Sequence, residues 1–280
     1  MSINLGFMQG RLSPIVNNQI QSFPWDSWED EIAKANKLGF NLIEWTLDQK
    51  DIHLNPFMTK TGQEKINFLK EQYNVKIESL TADCFMQAPF WKSEKIDEQD
   101  KLKEIFVDVI EASKSLNIKF IVVPLVDNGS IDNAKQENDL FSFLKTIEQT
   151  LDNTKIIFES DFSPPRLKSF ISKFDKNFFG INYDTGNSAS LGYDPVEEFS
   201  AYGSRILNVH IKDRLYEGST VPLGEGDTNF TKVFKLLSDH NYSSNFILQT
   251  ARHQNNKHEQ ALLQYKSYVL NLLNKNGIKY

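Results

Sequence analysis

Eight short apolar runs recur along the 280 residues, with longer charged stretches of helical periodicity between them. No other feature of the chain constrains its fold as much. The runs are INLGFM (3–8), NLIEWT (41–46), KIESLT (76–81), FIVVPL (120–125), KIIFES (155–160), FGINYD (179–184), ILNVHI (206–211) and FILQT (246–250). The spacing between them predicts helices over 27–39, 61–73, 97–116, 137–151, 164–174, 195–203 and 229–240, and a last one over 257–275. Ser27 or Asp26 is placed to cap the first helix, and Gly39 to close it in the left-handed C′ conformation. Such alternation is the signature of βα units.

Eight strands alternating with eight helices close most economically into a single (β/α)8 barrel. A doubly wound sheet of this size would carry a glycine-rich turn after its first strand, and the turn here is QGRLSP. No Pro/Gly/Ser-rich linker divides the chain, so one domain over 1–280 is expected. Net charge is −6 with Lys and Arg scattered, which disfavours a nucleic-acid partner. The single cysteine, Cys84, excludes an internal disulfide, and no window is apolar enough for a membrane span. The N-terminal MSINLGFMQG lacks the basic and apolar segments of a signal peptide, and a cytoplasmic location is expected.

Parallel barrels bind ligands at the C-terminal ends of their strands, so polar residues there carry the functional reading. The first half of the chain offers Gln9, Arg11, Glu44, Asp83 and Asp127; the second offers Glu159, Asp184, His210 and Gln249 from strands five to eight. Two carboxylates, an imidazole and an amide oxygen from consecutive strands can face one point. That donor set suits Mn²⁺ or Mg²⁺, with Co²⁺ or Zn²⁺ as alternatives, better than a closed structural zinc site. Each residue also has a plainer reading: Asp184 as a helix cap before Thr185 and Gly186, and His210 as a core histidine between Val209 and Ile211. Glu159 resists one, because Ile156, Ile157 and Phe158 predict a buried strand, where a carboxylate needs a cation or donors.

The segments 159-ESDF-162, 180-GINYDTGN-187, 208-NVHIKDR-214 and 223-LGEGDTNF-230, in this order, resemble the xylose isomerase-like barrel superfamily of sugar and sugar-phosphate isomerases and epimerases. The resemblance, which covers nearly the whole chain, implies a divalent metal held by Glu159, Asp184, His210 and a strand-eight glutamate, with the two glutamates as bases. Here Gln249 replaces that last glutamate, and Asn187 stands where several epimerases place a substrate-contacting histidine. An amide can offer an oxygen to a metal but cannot take a proton from carbon. One base, Glu159, suffices for aldose–ketose isomerisation through an enediolate, whereas epimerisation needs a second acid, for which Asp83, Glu44 or a water is available. Dehydration of an inosose-like sugar and a non-catalytic sugar-binding barrel are the alternatives.

Arg11, Arg214 and Arg252 are expected as cationic donors near the mouth, and Glu225 in the two-glycine turn as a pocket residue, whereas Lys212 and Asp213 read as ordinary surface charges. Trp25, Trp45, Phe85, Phe90 and Trp91 lie in or beside the first three βα loops, as sugar-stacking walls, core or partner contacts. Aromatic residues around 85–91 suggest a homodimer face. With five histidines, at 53, 210, 240, 253 and 258, and none at the ends of strands three and four, a three-metal nuclease of the same superfamily is disfavoured.

Overall fold

The computed structural model describes residues 4–16, 19–253 and 255–279. Ile3, the first position of the predicted strand 3–8, lies outside them. The eight barrel strands are β1 (Asn4–Met8), β2 (Leu42–Thr46), β3 (Lys76–Thr81), β4 (Phe120–Leu125), β5 (Lys155–Ser160), β6 (Phe179–Asp184), β7 (Ile206–Ile211) and, after a short hairpin of β8 (Asp213–Arg214) and β9 (Thr220–Val221), β10 (Asn245–Leu248). They close in the order β1-β10-β7-β6-β5-β4-β3-β2, so sequential barrel strands are spatial neighbours, as right-handed βαβ crossovers require.

The helices α1 (Trp28–Lys37), α2 (Lys60–Tyr73), α4 (Ile96–Ser115), α5 (Ala134–Ile147), α6 (Pro164–Ser172), α8 (Pro195–Tyr202), α9 (Phe230–Asp239) and α10 (His258–Lys275) follow the expected pattern, while α3 (Asp83–Gln87) and α7 (Thr185–Ser190) are extra. These last two are single turns at strand ends, too short to leave a periodic signal. α1 ends as anticipated: Gly39 has φ +71°, its N–H donates to Asn36 and that of Phe40 to Ala35, the two bonds of a Schellman motif. Its start differs, because the Ser27 side chain makes no capping hydrogen bond. α5 begins earlier than the pattern predicts, since Asn133 accepts from the Gln136 N–H and caps it. α6 and α8 each start on a proline, which needs no N–H partner there.

The main core lies between strands and helices, where Trp45 packs edge-on to Trp28 and Phe158 packs edge-on to Phe170. Met8, Leu42 and Ile247 form a separate small apolar cluster. Met8 is in register with Glu44, and Ile247 with His210, so this cluster shares the inward face with the polar residues of the site. Gly6 faces Leu42, whose carbonyl oxygen would lie 2.5 Å from a Cβ there; only glycine fits.

Phe85, Phe90 and Trp91 are buried within the chain, with Phe85 stacked on Phe106 and the Trp91 indole donating to Gly129 O. They therefore form no exposed face, which corrects the basis of the dimer expectation. No described helix is long and apolar enough to cross a membrane.

Candidate active site

Glu159, Asp184 and His210 end up together because their strands are adjacent and their positions are matched: Asp184 is in register with His210, and Glu159 stands one residue before the end of β5, beside β6. One ligating atom from each lies within 4.8 Å of the other two, and all three residues are buried. Glu159 is held from two sides, Oε1 accepting from Asn187 Nδ2 at 2.6 Å and Oε2 from Asn182 Nδ2 at 2.9 Å.

His210 sits between two glutamates, with Nε2 2.6 Å from Glu44 Oε1 and Nδ1 3.1 Å from Glu159 Oε2. Only the Glu44 contact has hydrogen-bond geometry, and Nδ1 has no hydrogen-bond partner among the described residues. Burial opposes the imidazolium, but the flanking Glu44 and Glu159 outweigh it and push the His210 pKa up to about 10. The same contacts act back on the carboxylates: burial opposes their charge, and His210 nonetheless holds both below the usual range. The positive charge between these carboxylates is the second proton of the imidazole.

Glu44 is fully buried, its oxygens accepting from Ser79 Oγ (2.5 Å), Thr81 Oγ1 (2.6 Å) and Asn208 Nδ2 (2.9 Å) besides His210. With four donors around it, Glu44 has no free lone pair to direct at a substrate. Its expected place beside substrate gives way to one beneath His210.

For Asp184 the cap offered by the sequence is present, and it leaves the second carboxylate oxygen open to another partner. Oδ1 caps α7, accepting from Gly186 N at 2.9 Å and Asn187 N at 2.8 Å, which leaves Oδ2 for a cation. Lys212 Nζ is 2.8 Å from that oxygen, and its side chain is only 13% exposed. Lys212 is thus a member of the site, and its reading as a surface charge is corrected. Asp213 is likewise buried, accepting from Gly224 N (2.8 Å), Gly226 N (3.0 Å) and Thr228 N (3.1 Å). It builds the GEGD turn from inside. Glu225 of that turn is exposed.

Gln249 is buried after β10, and its N–H donates to Ile211 O at 3.0 Å, so the ladder continues through it. Two residues beyond Ile247, its side chain shares the inward face. Nε2 donates to Gln21 Oε1 at 2.8 Å, while Oε1 has no partner among the described residues. Two buried atoms, His210 Nδ1 and Gln249 Oε1, have no hydrogen-bond partner among the described residues, and a bound cation would satisfy both, at His210 by displacing the Nδ1 proton. The donors present therefore fit a hard or borderline divalent metal.

The arginines divide. Arg214 donates to Asn187 Oδ1 at 3.0 Å and to Gly218 O, beside the site. Arg11 donates to Thr250 O and Ile20 O, and Arg252 to Gly10 O and Ser13 O. These two are committed to backbone carbonyls, with buried Glu31 accepting from Gly10 N and Leu12 N close by. They tie the loop after β1 to the end of β10, which corrects their expected role as free donors at the mouth.

Gln9 Oε1 accepts from Thr46 N at 3.1 Å, leaving Nε2 buried and without a partner among the described residues. Asp83 accepts from Gln21 Nε2 at 2.6 Å, and burial, reinforced by Asp48 and Glu159, raises its pKa to about 7. Asp127 is an exposed turn residue with φ +50°. Trp45 is core and Trp25 partly exposed, beside a cavity of about 440 Å³ that Ser22, Asp48 and Gln87 also line. A larger cavity, about 1180 Å³, lies between the loop after β1 and α10, lined by residues such as Leu12, Lys34, His258 and Tyr268; it is not where the buried acids meet.

A closed eight-stranded parallel barrel with a buried Glu–Asp–His cluster at its strand ends defines a TIM barrel with a candidate metal centre. The family described as xylose isomerase-like TIM barrel matches residues 32–267, and the chain belongs to it. Among curated relatives, SgbU of Haemophilus influenzae is 23% identical over 268 residues, covering 90% of this chain and 93% of the relative. The L-ribulose-5-phosphate 3-epimerase UlaE of Escherichia coli K12 is 22% identical over 235 residues, 80% of this chain and 82% of its own length. Of the solved structures, a D-allulose 3-epimerase from Methylomonas sp. superposes with a TM-score of 0.77 at 13% identity, covering 97% of this chain and 98% of the other. A D-tagatose 3-epimerase-like protein does so with a TM-score of 0.69 at 21% identity, covering 96% and 98%. At these identities the structural likeness is one of fold.

Proposed function

We propose that the chain is a divalent-metal-dependent epimerase or isomerase of a sugar or sugar phosphate, acting by proton transfer at the carbon beside a carbonyl, through an enediolate. The observation that carries the proposal is the convergence of Glu159, Asp184 and His210 with two buried polar atoms, His210 Nδ1 and Gln249 Oε1, that have no hydrogen-bond partner among the described residues. The names of relatives such as UlaE support the substrate class. Glu159, Asp184 Oδ2, His210 Nδ1 and Gln249 Oε1 would hold the metal, with Mn²⁺ or Mg²⁺ preferred for a set richer in oxygen than nitrogen. Bound there, it would supply Lewis-acid stabilisation of the oxyanion that develops as the α-proton leaves.

Glu159 takes that proton. The amides of Asn182 and Asn187 aim its two oxygens, and its depressed pKa keeps it ionised at neutral pH. Returning the proton to the adjacent carbon gives isomerisation with this base alone. Inversion at one carbon needs an acid on the opposite face, and Gln249 cannot supply it. Asp83 can: with a pKa of about 7 it exists in both protonation states under physiological conditions. Lys212 and Arg214, both bonded to Asn187, are the cationic groups beside the site for an anionic substituent.

Deuterium exchange into a panel of free and phosphorylated ketoses in D₂O tests the proposal. Exchange without loss of water is expected, together with its abolition in Glu159→Gln. Loss of water would make the protein a dehydratase, and sugar binding without exchange a binding barrel. Normal exchange in a metal-loaded Glu159→Gln protein would remove Glu159 from the chemistry.

A further inference from the structure

Gln249 stands where a carboxylate would present an oxygen in either orientation, but an amide presents oxygen in only one of two flips. The flip is dictated from outside the strand. Gln21, in the loop after β1, lies between Gln249 and two groups that orient it, Asp83 and Arg11. Asp83 Oδ2, an acceptor while the carboxyl is ionised, is 2.6 Å from Gln21 Nε2. Arg11 Nη2, a donor that cannot accept, is 3.5 Å from Gln21 Oε1. Gln21 Oε1 therefore faces Gln249, only Nε2 of Gln249 can meet it at 2.8 Å, and Gln249 Oε1 is left buried without a partner among the described residues. Reversing the Gln249 amide would set oxygen against oxygen, and reversing Gln21 would set its oxygen against the Asp83 carboxylate.

From this geometry we infer that Gln21, anchored by Asp83 and Arg11, is a positioning residue that fixes the Gln249 carbonyl oxygen toward the metal position, doing by hydrogen-bond polarity what a strand-eight carboxylate would do by symmetry. The inference rests on the metal reading above. It makes a loop residue from outside the barrel part of the metal affinity, although Gln21 itself contributes no ligand.

The test is a set of titrations of the full-length protein with Mn²⁺ alone, followed by calorimetry and by the electron paramagnetic resonance of free Mn²⁺. Gln249→Leu is expected to weaken binding about tenfold, and Gln21→Leu by a similar factor with an unchanged melting temperature. The double variant should bind within about twofold of Gln249→Leu alone, because the two residues act through one oxygen. Should Gln21→Leu not fold, Gln21→Ala replaces it. Wild-type affinity in Gln21→Leu beside a weakened Gln249→Leu would overturn the relay and leave the metal site intact, as would losses that multiply in the double variant. If the wild type binds no Mn²⁺, or if Glu159→Gln and Asp184→Asn bind it as tightly as the wild type, the metal reading fails and takes the relay with it.

Discussion

Replacing Glu44 with glutamine turns one carboxylate oxygen into an NH₂ group, and the surrounding donors decide where that group can go. At the Oε2 position it would face Ser79 Oγ, which can rotate to accept, and Asn208 Nδ2, which cannot. Asn208 cannot turn over either: its Nδ2 also donates to Asn182 Oδ1 at 2.8 Å, and Asn182 Nδ2 donates to Glu159, so the amide string is polarised by a carboxylate at each end. At the Oε1 position the NH₂ would face Thr81 Oγ1, which can rotate, and His210 Nε2, which can accept if the ring proton moves to Nδ1. A neutral ring, the form a metal would need, keeps its proton on Nε2 beside Glu44, whereas Glu44→Gln selects the tautomer that points N–H, not a lone pair, at Glu159. Since the Nδ1 lone pair is the one that would meet a metal, Mn²⁺ affinity should fall about 10- to 100-fold, or about 1.4 to 2.8 kcal/mol. Most of the hydrogen bonds are remade, so global stability should fall by only about 1–3 kcal/mol. Calorimetric titration measures the affinity, and ¹⁵N NMR of the His210 ring reads the tautomer. A Glu44→Gln protein that binds Mn²⁺ within about twofold of wild type while Nε2 keeps its proton would refute the reasoning.

Lys212→Met frees Asp184 Oδ2 of its ammonium partner, so Mn²⁺ should bind several-fold more tightly while exchange into a phosphorylated ketose declines; weaker Mn²⁺ binding in that variant would count against competition between the two cations. Asp83 has a pKa of about 7 in the folded chain against 3.8 as its ordinary value, so between those pH values the folded state keeps a proton that the unfolded state has lost. Stability should then decline from about pH 4 to pH 7, by about 4 kcal/mol in total, and level off above; denaturation of Asp83→Asn across this range should lack the decline, and parallel curves would disprove it. Removing the three-fold backbone acceptor in Asp213→Ala should cost about 2–4 kcal/mol and expose the 224–228 amides to hydrogen exchange, whereas unchanged protection would show that the turn holds itself.

The barrel was legible in the sequence because periodicity is local: eight apolar runs and the helices between them need only their own neighbours to be read, and strand order follows from short right-handed crossovers. Glu159, Asp184, His210 and Gln249 were legible as candidates for the same reason, since consecutive barrel strands bring their ends together whatever lies between. Only the tertiary structure decided what each atom does. It divided the oxygens of Asp184 between a cap and a cation, moved Lys212 from the surface to that carboxylate, and withdrew Arg11 and Arg252 to backbone carbonyls. Hydrogen-bond polarity is a property of meetings between distant segments: Glu44 and His210 are 166 residues apart, Gln21 and Gln249 228. Residue types and strand positions can nominate a ligand, but which lone pair remains free is settled only when every neighbouring donor and acceptor has found its place.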